Sequence, residues 1–216
     1  YRSIQCIADQ SYPNWELLVS VGSALKLSKL RRLVWSRDSR IKWLGGTRDN
    51  LAEKITGDYV CIVDPAIRFE NSALSQHAIA ISSHQPDILY SDEAVISSNT
   101  GRIQNLLLRP AFSVDYFLAT AFTGLGTLIK TSLVVNQIPG YQEKSADQLS
   151  EALILTSIPN IKKALHIPDV LQLRVSNCSA QTERDRRLDK TEIQKCLAEI
   201  GFPQAEVRDT KNPDLY

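Results

Sequence analysis

Short apolar runs alternate with segments of helical spacing along the first half of the chain. Trp15 to Val21 (WELLVSV) is nearly continuous in apolar character, the mark of a strand buried on both faces. Ile41 to Leu44 is a shorter strand, and Tyr59 to Val63 is a third, ending on Asp64. Asp87 to Ser91 (DILYS) is a fourth. Helical segments fall between them: residues 2 to 9, residues 25 to 35 with Leu27, Leu30, Leu33 and Val34 on one face, and Asp49 to Thr56, closed by Gly57. A further helix is capped by Asn71, turns Leu74, Ala78, Ile79 and Ile81 inward, and stops before Pro86. Strands alternating with such helices predict βαβ units: an α/β fold with a mostly parallel sheet flanked by helices.

The second half is less regular. Leu125 to Ile129 and Val170 to Val175 read as strands, and Ala146 to Thr156 as a helix. Lys190 to Ile200 is amphipathic, with Ile193, Cys196, Leu197 and Ile200 on one face and Gly201 at its end. No repeat or linker divides the pattern, so residues 1 to 216 are read as a single domain.

Composition narrows the partners. A net charge of +1 leaves no electrostatic footprint for nucleic acid. The basic cluster Arg184, Arg186 and Arg187 is interleaved with Glu183, Asp185 and Asp189, as on a solvated helix face. The apolar runs are far shorter than the roughly 20 residues a membrane span needs. Cys6, Cys61, Cys178 and Cys196 are widely separated and form no zinc-type pair; Cys6, Cys61 and Cys196 fall on apolar faces, so reduced core cysteines there and a cytoplasmic setting are expected. The chain has no methionine and begins in mid-pattern, which reads as a segment of a longer protein.

Candidate chemistry centres on Thr56 to Ala66 (TGDYVCIVDPA). The apolar strand delivers Asp64 at its C-terminal end, the edge where α/β sheets hold ligands. The alternative is a turn aspartate beside Pro65. Asp92 and Glu93 follow the strand DILYS and are expected at the same edge. His166 is read as structural, and His77 and His84 as solvent-facing on their helix. Tyr12 and Trp15 are read as packing aromatics.

Several motifs in order resemble family 2 glycosyltransferases of the GT-A fold: QSYPNWELLV (Gln10 to Val19), DSRIKWL (Asp38 to Leu44), TGDYVCIVD (Thr56 to Asp64) and DILYSDE (Asp87 to Glu93). LRPAFSVDYFL (Leu108 to Leu118), IPGYQE (Ile138 to Glu143) and HIPDVLQLRV (His166 to Val175) are similar to later segments of the bacterial O-antigen and surface-polysaccharide branch. The resemblance implies a nucleotide-sugar donor, a glycan acceptor, a divalent cation (Mn or Mg) and inversion at the anomeric carbon. It places Arg48 at the donor diphosphate, Asp64 at the metal and donor, Asp92 and Glu93 on the metal and acceptor side, and Asp147 as catalytic base, with Glu143 and Glu151 as further candidates. Arg174 is what remains of a His-Trp-Arg element.

The chain also departs from that pattern. The family's opening strand has no counterpart before Tyr1. Ser20 and Val21 stand where two nucleoside-binding acids are expected, and Ala66 stands where the second acid of the DxD metal motif belongs. Two functions are therefore open: an active glycosyltransferase domain of polysaccharide or glycan synthesis, or a catalytically inactive module of the same fold. The second would serve glycan binding, scaffolding or contact with other domains of a longer chain.

Overall fold

Two sheets carry the strands of the computed structural model, which describes residues 2–20, 37–44, 51–141, 144–176 and 188–208. The helices 25 to 35 and the position of Arg48 lie outside the described residues. Helix α1 (Arg2–Ala8) precedes β1 (Leu17–Ser20), which pairs in parallel with β2 (Ile41–Leu44). After α2 (Leu51–Lys54), β3 (Tyr59–Cys61) and β4 (Ile67–Phe69) lead to α3 (Ala73–His84). The longest strands are β5 (Ile88–Ser97) and β8 (Ala164–Ser176). Between them come β6 (Ile103–Leu107), α4 (Val114–Thr120), β7 (Leu128–Lys130), α5 (Thr131–Val134) and α6 (Ala146–Ser157). Helix α7 (Lys190–Glu199) follows β8.

The larger sheet has six strands in the order β3-β7-β5-β8-β4, with β6 beside β5. β5 and β8 are parallel, and its other pairings are antiparallel. The α/β class, with a curled sheet flanked by helices, is as the alternation predicts. The strand directions are mixed rather than mostly parallel, because β7 enters between β3 and β5 running against both. Apolar periodicity marks a strand without giving its direction. β1 is only half-buried, since it lies in its own two-stranded sheet and not in a covered interior.

The core explains the helices. Helix α6 opens on a capping box between Ser145 and Gln148, which satisfies orphan backbone donors reciprocally. It then buries Leu149, Leu153, Ile154 and Leu155 against Ile88 and Ile129 of the sheet. Each fully enclosed Leu or Ile contributes about 1.5–3 kcal/mol. Helix α7 is capped by Asp189 and adds Ile193 and Cys196 to the same cluster, on the face its spacing predicts. Cys6, Cys61 and Cys196 are free thiols, and burial pushes Cys61 up to about 12.

Helix α3 corrects the sequence reading. Its buried positions are Ala73 and His77, whereas Ile79 is 67% exposed. Leu74, His77, Ala78 and Ile81 share a stripe at spacings of three and four, and Ile79 lies off it, so angular position outweighs residue type. The N-cap is Ser72, not Asn71. His77 packs edge-on against Phe69, with ring centroids 6.4 Å apart. Burial holds its pKa down, from the ordinary 6.5 to about 4.

A pH dependence follows. The folded state keeps His77 neutral, while the unfolded chain binds its proton below 6.5. Stability from this group is fully present above 6.5 and is lost as pH falls toward 4. The expected loss by pH 4 is about 3 kcal/mol. Urea unfolding at pH 7 and pH 4.5 should show this slope, and His77→Leu should remove its share.

Candidate functional site

Glu93 is the centre of the polar interior. It lies on β5 with 0% exposure. Its Oε1 accepts from Arg174 Nε at 2.8 Å, and its Oε2 accepts from Gln172 Nε2 at 2.6 Å and Arg109 Nη2 at 3.3 Å. Gln172 and Arg174 come from β8, where Gln172 stands opposite Glu93 in register. The register slips on both sides of Asp92, which leaves extra residues on β8. Such bulges re-aim side chains beside functional sites. Gly126 makes room for the Gln172 amide: a β-carbon there would land on it, and φ is +84°.

Arg174 gathers the carboxylates that the sequence singles out. Besides Glu93 it faces Asp147, with Nη1 3.6 Å from Oδ1, and it feels the charge of Asp64. Burial alone would pull its pKa down, but Glu93, Asp147 and Asp64 together hold it above its ordinary value. Asp92 is the adjoining anchor. Its Oδ1 accepts from the Arg109 backbone N–H at 2.8 Å and lies 2.8 Å from His166 Nε2. His166 stacks on Tyr90 with centroids 5.1 Å apart.

Glu93, Asp147 and Asp64 therefore gather around Arg174, with Asp92 adjoining, but in different conditions. Asp92 and Glu93 are buried and hydrogen-bonded, so their geometry positions Arg109, His166 and Arg174. Asp64 Oδ1 accepts from the backbone N–H groups of Ala66 at 2.8 Å and Ile67 at 3.1 Å. That is the turn geometry of an aspartate beside proline. Asp147 sits in the first turn of α6 with 28% of its side chain exposed, although its Oδ1, the oxygen facing Arg174, is itself buried and takes no hydrogen bond. Glu151, one turn on, is buried at 1%. Glu143 lies outside the described residues.

A divalent cation needs several oxygen ligands. Among the described residues no group of three His, Cys, Asp or Glu side chains could hold a metal ion. Asp64 has one oxygen turned into its own loop, and Ala66 offers no ligand at the second position. The described residues do not fit the cation that the resemblance implies.

Sequence reading did not assign Arg109, Gln172 or His166 to the site. Arg109 lies in a loop of ordinary composition, and nothing local ties it to residues 16 positions away. Arg174 had a signal, as the surviving member of its motif.

Comparison with known proteins now has a geometry to meet. No protein-family model matches the chain, and no curated protein sequence does. Solved structures do match. S. aureus TarS 1–349 in complex with UDP-GlcNAc is similar with a TM-score of 0.61 at 11% identity, covering 92% of this chain and 60% of that one. The complex of the same protein with UDP gives 0.59 at 13% identity, covering 91% and 60%. A longer TarS structure gives 0.57 at 16% identity, covering 91% and 39%. The fold is that of GT-A-like glycosyltransferases. The chain spans about 60% of the length of the first two structures it matches. No helix among the described residues is long and apolar enough to cross a membrane.

Proposed function

We propose that the chain is a glycosyltransferase domain of the family 2 kind that takes a nucleotide sugar as donor and a glycan as acceptor. Asp147 would be the carboxylate that receives the acceptor proton. The observation that supports this is the condition of the four carboxylates. Asp92 and Glu93 are enclosed, and Asp64 is engaged by its turn, while Asp147 keeps 28% of its side chain exposed beside Arg174. A general base has to reach the hydroxyl it activates. The acceptor oxygen would attack the anomeric carbon as its proton passes to Asp147, and the bond to the diphosphate would break with inversion. Arg48, placed at the donor by the resemblance, would meet the charge of the leaving diphosphate, a task its fork of donors suits.

A second reading rests on Asp64 and Ala66: the same fold kept as a non-catalytic module that binds glycan or a neighbouring domain. Thermal unfolding with UDP-sugars, with and without manganese, separates the readings, because a ligand bound only by the folded state raises the midpoint. The enzyme reading expects a shift of a few degrees and release of UDP when acceptor is added. A protein indifferent to every nucleotide sugar tried would sink it. A manganese-dependent shift abolished by Asp64→Ala would sink the non-catalytic one.

A further inference from the structure

Arg174 stands where the candidate site lacks an acid. Strand β8 runs alongside the turn that carries Asp64 and Ala66. The Val175 N–H donates to the Ala66 carbonyl at 2.9 Å, and Arg174 is opposite Ile67 in register. The Arg174 guanidinium reaches to 3.6 Å from the Asp147 carboxylate and lies in the field of Asp64. A fixed positive charge thus occupies the neighbourhood in which Asp64 and Ala66 cannot assemble a cation site.

The guanidinium is anchored and still has donors to offer. It carries five N–H groups in a planar fork. Glu93 accepts from Nε at 2.8 Å and from Nη2 at 3.5 Å. Nη1 makes no hydrogen bond among the described residues and is not sealed in the interior. The side chain is 15% exposed, against 4% for Arg109. Arg109 is therefore enclosed in the Glu93 network, while Arg174 is tied along one edge and open along another. A cation held in this way needs no reorganisation to meet a charge that develops beside it.

The chemistry asks for such a cation. When a sugar leaves a nucleotide, the diphosphate gains an electron pair, and stabilising that charge is a large share of catalysis. A divalent cation does this through carboxylates that hold it. Arginine does it directly, since its fork matches two phosphate oxygens. A second carboxylate at position 66 would oppose a diphosphate unless a metal came with it. Alanine at that position and arginine beside it are two parts of one electrostatic arrangement.

We propose that Arg174 takes the place of the divalent cation: it faces the donor diphosphate, and transfer proceeds without a metal ion. The inference rests on the donor reading given above. In the transfer step the acceptor oxygen bonds to the anomeric carbon, and its proton passes to Asp147. The bond from that carbon to the diphosphate oxygen breaks, and its electron pair leaves with the diphosphate. Arg174 balances the charge arriving there, and Glu93 behind it holds the guanidinium in position.

The test measures binding of UDP, GDP and dTDP by calorimetry, in EDTA and in millimolar manganese, with the parent nucleosides read by saturation-transfer NMR. Arg174→Gln is the main variant, because glutamine is neutral and can still donate to Glu93. One of the diphosphates is expected to bind in EDTA, with a Kd that manganese changes by less than about threefold. Arg174→Gln should weaken it by about ten- to a hundredfold, the range for hydrogen bonds to a charged group, and leave the nucleoside unaffected. Arg174→Lys should restore most of the loss. Diphosphate binding that appears only with manganese would overturn the inference, and this comparison uses the unmodified chain, so it does not depend on how the variants fold. An Arg174→Gln chain that binds the diphosphate undiminished, or loses nucleoside and diphosphate alike, would also overturn it. Each of these results leaves the donor reading standing. Indifference to all three diphosphates in both conditions would overturn the donor reading itself, and this inference with it.

Discussion

Glu93→Ala is expected to destabilise the domain by about 3–5 kcal/mol, the range for removing one partner of a buried ion pair. The size follows from what remains. The side chains of Arg109 and Arg174 are 4% and 15% exposed, so neither guanidinium reaches enough water to replace the carboxylate. Arg174 keeps Asp147 at 3.6 Å and the field of Asp64, which limits its share of the cost. Gln172 also loses the acceptor for its 2.6 Å bond and keeps the one it makes to the Leu125 carbonyl. Urea unfolding followed by circular dichroism measures the loss. A change below about 1 kcal/mol would mean that the network is solvated and weak. Adding Arg174→Met to Glu93→Leu should recover part of the loss, because replacing a buried pair by apolar groups removes its desolvation cost as well.

Asp147→Asn is expected to lower glycosyl transfer by about 10²- to 10⁴-fold, the usual share of a positioned general base. The fold should tolerate it. The carboxylate is partly exposed, its contact with Arg174 is longer than a hydrogen bond, and such pairs contribute about 0–1 kcal/mol. Asparagine also remains acceptable in the first turn of α6. The informative measurement is therefore turnover at unchanged thermal midpoint and unchanged donor affinity. A variant that retains full turnover would remove Asp147 from the chemistry and return attention to Glu151, one turn along α6.

Much of this architecture is legible along the chain, for physical reasons that differ by element. Helix α7 is readable because Ile193 and Cys196 recur at the spacing of one face and Gly201 follows its end, whereas its cap, Asp189, reads in the sequence only as one charge of a mixed cluster. Strand β5 is readable as an apolar run, but its length is not: it continues through Asp92 and Glu93 because β8 supplies Arg174 and Gln172 to neutralise and bond them. Local sequence holds no trace of partners some 80 residues away. The same limit hides His77, whose polarity suggests solvent while its angle on α3 places it inside. Asp64, Asp92, Glu93 and Asp147 could be found by resemblance. Which of them stays partly exposed could not, since that depends on backbone N–H groups and on arginines delivered by other strands.

The pairing of β5 with β8 also bears on the order in which the molecule can form. Glu93 and Arg174 are separated by 81 residues, and the two strands that carry them are the backbone of the larger sheet. Closing a loop of that length costs entropy before any contact repays it, and topologies dominated by such contacts fold slowly. During synthesis β5 is complete long before β8 leaves the ribosome. Over that interval Glu93 is a carboxylate on an apolar strand whose counter-charges have not been made, and hydration favours leaving the strand in water. The enclosure of Glu93 is therefore completed only when β8 brings Arg174 and Gln172 to it, among the last steps of assembly along the chain.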